Sequence, residues 1–399
     1  DKISRKKLIF VVSVAWAALT YLISLAVSFW MFLVFYVLSA VGYGVMFPVG
    51  ISMVADISLP EKRGIYTALF ATVGGIGAGI GSLFGVTLVP IYGWRWAFAV
   101  LGFLGFATCG AILLISEPMR GASEKELASL RGYKYTIKRD DIKIILSKKT
   151  NILIIMQGFF GCIPWGAISM WLPAMFYTIA LQQNISNNAA TLAGNLLNLV
   201  RWPSATAGGI FFSWLGDKKH KQGLSHWRIK ISIIGISLGV PFAVGTFFAA
   251  ANLNYIFPDT TNVLEMAYIL LGQFLTDFST AILTTFIILS AFIMASGGSQ
   301  TTPIMLDTNL PEHRGTMSSL LNVGNHAGLA VAPFMASIVR NMFLQSGASG
   351  LMSYVYTLSL FSLMWIPCAV IWIKIHRTYP KDSSAMHKIL EERARSASP

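Results

Sequence analysis

Charge is scarce in this chain. Asp, Glu, Lys and Arg make up 12% of its 399 residues, against 55% hydrophobic residues and a mean hydropathy of +0.63. A soluble domain carries roughly twice that share of charge, so the composition excludes a water-soluble globular fold. Cysteine is scarcer still. Cys109, Cys162 and Cys368 lie far apart inside apolar segments without CxxC spacing, and they read as packing residues, not as a metal or redox site. No Gly-Lys-Ser/Thr follows the glycine-rich stretch 74–85, which removes a Walker-type phosphate loop and with it ATP-driven chemistry. The six histidines (His220, His226, His313, His326, His376 and His387) are scattered, and no Ser/His/Asp or His/Glu metal spacing occurs in the loops. That leaves no candidate active site, no metal and no cofactor, and an enzyme is not expected.

What the chain does have is long apolar runs. About 20 apolar residues cross a hydrocarbon core of roughly 30 Å, and ten runs qualify, at 8–28, 30–57, 65–90, 94–115, 150–181, 189–214, 229–251, 281–307, 316–341 and 351–376. A barrel would need weakly alternating strands instead. The expected fold is therefore an all-α polytopic membrane protein. The net charge of +13 raises the question of nucleic acid, but its placement answers it: all Lys and Arg except Arg95, Arg201 and Arg340 fall in alternate loops and at the two ends. This is the positive-inside pattern, which makes the basic loops cytoplasmic. The partners expected are the lipid bilayer and a small-molecule substrate, with no nucleic acid, and the chain is expected to act as a monomer.

Four runs precede the polar stretch 116–149 and six follow it. The organisation expected is a first bundle at 1–115, a cytoplasmic linker at 116–149, a six-helix bundle at 150–376 and a cytoplasmic tail at 377–399. An insertion at 252–280 holds an apolar stretch, Leu264–Thr276, read as an extracellular interfacial helix or an extension of the next span. An internal repeat supports two related halves. Asp56-Ile57-Ser58-Leu59-Pro60-Glu61-Lys62-Arg63-Gly64 returns as Asp307-Thr308-Asn309-Leu310-Pro311-Glu312-His313-Arg314-Gly315, with Asp, Leu-Pro-Glu and Arg-Gly matching without a gap. The basic block opened by Asp1 likewise returns at Asp217-Lys218-Lys219-His220-Lys221. If the halves are equal, two spans belong ahead of Asp1.

These residues resemble the major facilitator superfamily. Asp1-Lys2-Ile3-Ser4-Arg5-Lys6 is similar to the second half of that family's hallmark loop, with Ser4 where Gly is usual. Trp94-Arg95-Trp96-Ala97-Phe98 and the run Gly74-Gly75-Ile76-Gly77-Ala78-Gly79-Ile80-Gly81 also look like this family. Within it, Glu117-Pro118-Met119-Arg120-Gly121-Ala122-Ser123-Glu124, and Ile163-Pro164-Trp165-Gly166 followed by Trp171, are similar to the Spinster branch. Two positions depart from the pattern. Tyr36 stands where the family often has Arg, and Tyr43 where the Spinster branch often carries a carboxylate. The resemblance implies a two-bundle fold whose visible helices are family spans 3 to 12. It further implies secondary active transport of a small organic solute by alternating access and allows a lysolipid or sphingolipid-type cargo, while the intramembrane cation Arg201 points to an anionic or amphipathic solute. A proton or another gradient would supply the energy, as symporter or antiporter, in the plasma membrane with a cytoplasmic C-terminus. The alternative on the same scaffold is a non-transporting sensor.

Two sets of side chains are candidates for function. A carboxylate near a helix N-terminus meets unpaired N–H groups and the positive end of the helix dipole. Asp1 is expected over the helix after Gly315 and Asp217 over the helix after Gly64, with Arg5, Arg63, Lys218 and Arg314 completing latches between the bundles that break on opening. The second set lies at membrane depth. Arg201 sits about 18 Å of helix from the outer end of its span, where a cation is costly. It shares a face with Thr191, Asn195 and Asn198. Asn322, Asn325 and His326 share a face of the penultimate span, and Gln157, Trp165 and Trp171 flank Pro164, where a kink frees carbonyls. Each has a packing alternative: Arg201 as a structural ion pair, His326 as a hydrogen-bonded packing residue, the tryptophans as core. The glycine run reads as a small-residue face for close helix crossing.

Overall fold

The computed structural model describes residues 4–114, 116–119, 139–252 and 255–397. Among them every regular element is helical. The first half contributes α1 (Arg5–Ser24), α2 (Phe29–Ile57), α3 (Arg63–Tyr92) and α4 (Trp94–Leu114). The second contributes α5 (Arg139–Ser147), α6 (Lys149–Leu181), α7 (Asn187–Leu199), α8 (Arg201–Lys221) and α9 (Trp227–Ala251). It continues with α10 (Val263–Thr276), α11 (Phe278–Thr308), α12 (Arg314–Gln345), α13 (Gly350–Ser362) and α14 (Trp365–Ala397). Nine helical stretches among the described residues are long and apolar enough to cross a membrane. Their outward faces carry apolar side chains, Phe103 at 65% and Phe334 at 70% exposure among them, a surface that only hydrocarbon accommodates at this extent.

Local chemistry sets the helix ends. Ser28, Ser186, Asp277 and Ser349 accept amide protons of the first turns of α2, α7, α11 and α13, which supplies donors that have no helical partner. Gly93, Gly223 and Gly347 end α3, α8 and α12 in the left-handed region, where other residues are strained.

Three sequence expectations change. The run 189–214 is two helices, because Pro203 lacks the N–H that would bond Leu199, so α7 stops there and α8 begins at Arg201. The last run breaks in the same way: Pro367 has no amide for Leu363, α13 ends at Ser362, and α14 then runs through the expected tail to Ala397. Residues 263–276 form a separate helix, packed on α11 and α7, and not an extension of α11. Most of the linker, residues 120–138, lies outside the described residues.

Each half packs on its own glycines. A Cβ on Gly102 would meet the Tyr21 backbone N at 2.8 Å, which joins α4 to α1, and one on Gly328 would meet the Phe159 carbonyl at 2.3 Å, which joins α12 to α6. The run Gly74–Gly81 behaves otherwise. Gly74, Gly77 and Gly81 face open space, and Gly75 and Gly79 find only ordinary contacts, at 3.5 and 3.9 Å. α3 stands off its neighbours there, so the close crossing expected of this run is absent. Between the halves, α3 packs on α8 and α11, and α2 on α12.

Candidate functional site: an ion-pair network at one end of an inter-bundle cavity

Segments far apart in sequence meet at one end of the interface between the halves. The first amides of α3 have no helical acceptor, and Asp217, near the end of α8, accepts from Gly64 N at 3.0 Å and Ile65 N at 2.9 Å. The approach requires glycine, since a Cβ on Gly64 would stand 2.6 Å from the Asp217 carboxylate. Arg228, fully buried at the start of α9, donates to Asp217 at 2.8 Å, to Asp307 at 2.6 Å and to the Pro60 carbonyl at 3.2 Å. Arg63, also buried, reaches the other Asp307 oxygen at 3.0 Å. Asp307 therefore takes one guanidinium from each half. Two arginines and two aspartates balance in charge, and each carboxylate has several donors, as a buried pair must.

His220 lies three residues beyond Asp217, on the next turn of α8, with Nδ1 buried and without a hydrogen bond. Its imidazole pKa is lowered by burial first, then by Arg228 and Arg63, against Asp307 and Glu61, which raise it. With a lowered pKa in the closed network, an opened form binds the proton more readily. The contribution of neutral His220 is therefore present at neutral pH and lost as pH falls below the ordinary imidazole value of about 6.5. Lowering the pH from about 7.5 to about 5.5 is expected to loosen this end of the molecule in the wild type and much less in His220→Gln. Hydrogen exchange at the start of α3 reads the difference, and equal behaviour of the two proteins refutes it.

The remaining latch candidates are placed differently. Arg5 turns into its own half, pairing with Asp56 at 2.5 Å and Glu117 at 3.5 Å and bonding the Pro118 carbonyl at 2.8 Å, so it does not cross between the bundles. Lys218 is exposed and lies over Trp214. Arg314 is buried in the second repeat loop. Asp1 lies outside the described residues. The two repeat loops are also unequally covered. Leu310 is 4% exposed and its counterpart Leu59 is 50%. The cover is the last turns of α14, where Met386 and Leu390 pack on Leu310, Arg393 pairs with Glu312 at 2.7 Å, and Tyr379 donates to Asp307 at 3.4 Å.

One turn beyond Arg63 on α3, a cavity of about 260 Å³ opens between the halves. Phe47 and Ile51 of α2 and Thr67, Ala71, Thr72 and Gly75 of α3 face Trp202, Thr206 and Gly209 of α8 and Gly298, Ser299 and Thr302 of α11. Among the described residues none of its lining is charged. The Thr67, Thr72 and Ser299 hydroxyls bond carbonyls of their own helices, while Thr206 and Thr302 hold no hydrogen bond among the described residues.

Arg201 precedes Trp202 but turns the other way, into the second half. It donates to Asn198 at 3.2 Å, lies 5.1 Å from the Trp165 ring, and lines a small space of about 20 Å³ with Trp365, Thr246 and Ser290. Such a space holds about one water molecule. Among the described residues no carboxylate pairs with Arg201. Asn195 bonds Thr191 within α7. Gln157 is buried between Thr301 and Cys368, and Asn325 sits against Gly158 where α12 crosses α6, with Asn322 buried on the preceding turn. Trp171 donates to the Pro333 carbonyl at 3.1 Å and packs on Tyr354, apart from the Arg201 cluster. His326 meets Tyr43 edge-on across the halves, ring centroids 6.3 Å apart.

Two halves of membrane-length helices, related by a repeated loop and joined through it, match a known family: residues 1–272 fit the description Major Facilitator Superfamily. The chain belongs to that superfamily. Among the curated superfamily relatives it matches, it is 23% identical to Protein spinster homolog 1 of Xenopus tropicalis over 356 residues, covering 86% of this chain and 61% of the relative. It is 24% identical to Sphingosine-1-phosphate transporter SPNS2 of Danio rerio over 178 residues, 43% of this chain and 35% of that protein. The chain thus spans about three fifths of the first of these and matches about a third of the second. Among solved structures, a bacterial Spinster homologue in an inward-facing, occupied conformation shares the fold with a TM-score of 0.55 at 17% identity, covering 94% of this chain and 83% of the other. A superfamily proton:xylose symporter does so with a TM-score of 0.60 at 14% identity, covering 94% and 80%.

Superfamily membership places the repeat loops, yet the residue that joins the network, Arg228, was missed as a site residue. Its signal was available: a basic residue opening an apolar run directly after the block at Asp217. The cavity residues gave no signal, since one or two small or hydroxyl side chains from each of four helices form no pattern in any one of them.

Proposed function

We propose that this chain is a secondary transporter that moves a small organic solute between two membrane faces by alternating access. The observation that carries the reading is the network Arg63–Asp307–Arg228–Asp217, which joins the halves at one end of a cavity lined by both. Breaking it while the opposite end closes would expose the cavity to the basic face. The lining supports an amphipathic solute. Alkyl and aromatic surface accommodates a chain, two free hydroxyls offer weak polar contacts, and no fixed charge is present to hold a strong anion. A zwitterionic or neutral lysolipid or sphingoid-type solute fits this chemistry; it shares the amphipathic chain, though not the phosphate charge, of the solute for which the zebrafish relative is named. Arg201, turned away from the cavity, acts in this reading through the packing of the second half or through proton coupling. The basic loops and the end of α14 face the cytoplasm, the membrane is the plasma membrane, and the working unit is the monomer.

The test is uptake by proteoliposomes holding the protein, using radiolabelled lysolipids and small organic anions with and without a pH gradient. Saturable uptake of an amphipathic solute is expected, with Arg201→Ala lowering it about tenfold or less, the effect of a residue outside the binding surface. Abolition of uptake by that variant, at unchanged thermal stability, would move the binding site to Arg201. Specific binding without uptake would make the protein a sensor.

A further inference from the structure

The basic end of the second half carries a feature that the transport reading does not use. α8 finishes in Lys218-Lys219-His220-Lys221, and Gly223, at φ +76°, turns the chain so that the Leu224 amide returns to the Lys219 carbonyl at 3.0 Å. The start of α9 is thereby folded back on the end of α8. Trp227 then receives two ammonium groups, Lys219 Nζ at 5.1 Å and Lys230 Nζ at 5.2 Å from its ring centroid. Beside it, His226 meets His376 of α14 with ring centroids 6.1 Å apart and planes near perpendicular, and His376 Nε2 is buried without a hydrogen-bond partner.

We propose that Lys219, His226, Trp227, Lys230 and His376 form a second binding site, for the phosphate-bearing headgroup of an anionic lipid. Among the described residues no carboxylate pairs with either lysine or either histidine. Arg228, inside the same sequence stretch, has two. The cluster is therefore a local excess of positive charge around an aromatic ring, and such clusters at a membrane surface attract anionic headgroups. A phosphate accepts several charge-assisted hydrogen bonds at once, and the bare His376 nitrogen is one more donor in the neutral tautomer that carries its proton on Nε2. Membrane orientation alone does not account for the arrangement. The positive-inside bias counts Lys and Arg near the ends of spans; it gives no reason for an imidazole from α14 to converge on one from α9.

The site rests on the orientation proposed above, which turns this end toward the anionic leaflet, but its test does not involve transport. Thermal unfolding of the purified chain would be followed in a neutral detergent while titrating phosphatidic acid, phosphatidylcholine or inorganic phosphate. Phosphatidic acid is expected to raise Tm saturably, and the double variant Lys219→Gln/Lys230→Gln to raise the half-saturating concentration about tenfold or more. Lys143→Gln, which removes an exposed lysine paired with Asp140, should leave the titration unchanged. Phosphatidylcholine and inorganic phosphate should shift Tm little. A full response to inorganic phosphate, lost in the double variant, would keep the site but overturn the lipid as its ligand. Equal responses of wild type and double variant, or equal responses to the two lipids, would overturn the site itself.

Discussion

Replacing Asp307 with alanine is expected to destabilise the protein by about 3–5 kcal/mol and to open the basic end of the cavity. Asp307 neutralises Arg63 from one half and Arg228 from the other, and both arginine side chains are buried. Removal leaves Arg228 with Asp217, which already serves the start of α3, and takes from Arg63 the carboxylate that ties it to the other half. Because one of the two arginines belongs to each half, separating the halves at this end and admitting water lowers the cost. Asp307→Asn, which keeps the shape and the acceptor but not the charge, should show a smaller loss in the same direction. Two readouts check this: thermal unfolding in detergent, and the reactivity of Thr67→Cys in the cavity toward a charged thiol reagent applied from the basic side. Lys218→Ala is the control, since its side chain is exposed and makes no ion pair among the described residues. If Asp307→Ala changes stability and labelling no more than Lys218→Ala does, the network does not hold this end closed.

Two adjacent glycines of α8 should behave in opposite ways. A Cβ on Gly208 would lie 2.1 Å from the Phe292 carbonyl oxygen and 2.8 Å from its carbon. These are backbone atoms of α11 and cannot rotate aside, so Gly208→Ala must push two helices apart, at a cost at or above the upper end of the roughly 1–3 kcal/mol of ordinary overpacking. Gly209 has nothing within 4 Å and lines the cavity. Gly209→Leu is expected to fold with unchanged Tm while its side chain occupies the space offered to the solute, so that uptake falls by about two orders of magnitude without loss of protein, a difference of roughly 3 kcal/mol at the bound state. Normal uptake by Gly209→Leu would remove the cavity from the transport path. A Tm loss equal to that of Gly208→Ala would show that the helix spacing along α8 is misassigned.

How far the sequence carries can be followed residue by residue. Asp217 over Gly64 was legible because it needs only a carboxylate in one repeat block and a helix start in the other, and both are contiguous motifs. Arg63 was legible for the same reason. Arg5 was misplaced: its motif matches the block at Asp217, but the partners that hold it are Asp56 of its own half and Glu117 at the start of the linker, and a motif carries no information on which of several carboxylates is nearest. Gly74–Gly81 was read as a close-packing face because small residues permit close approach. Permission is not contact, and here the same smallness leaves room for a cavity. The breaks at Val200 and Leu363 follow from Pro203 and Pro367, yet in apolar runs that length they were hidden, since proline is common inside membrane helices and most such helices continue through it.

By itself the sequence determined the class of the protein, because apolar length, the placement of basic residues and a gap-free repeat are properties of contiguous segments and bilayer thickness acts on each segment separately. Only the tertiary structure decided that Arg228 and Asp307 close the network, that Arg201 and Trp202 face opposite ways from neighbouring positions, and that an uncharged cavity lies between the halves. Those features depend on how helices from both halves are rotated and spaced against one another, and that is settled by packing over the whole interface, not by any one helix's residues.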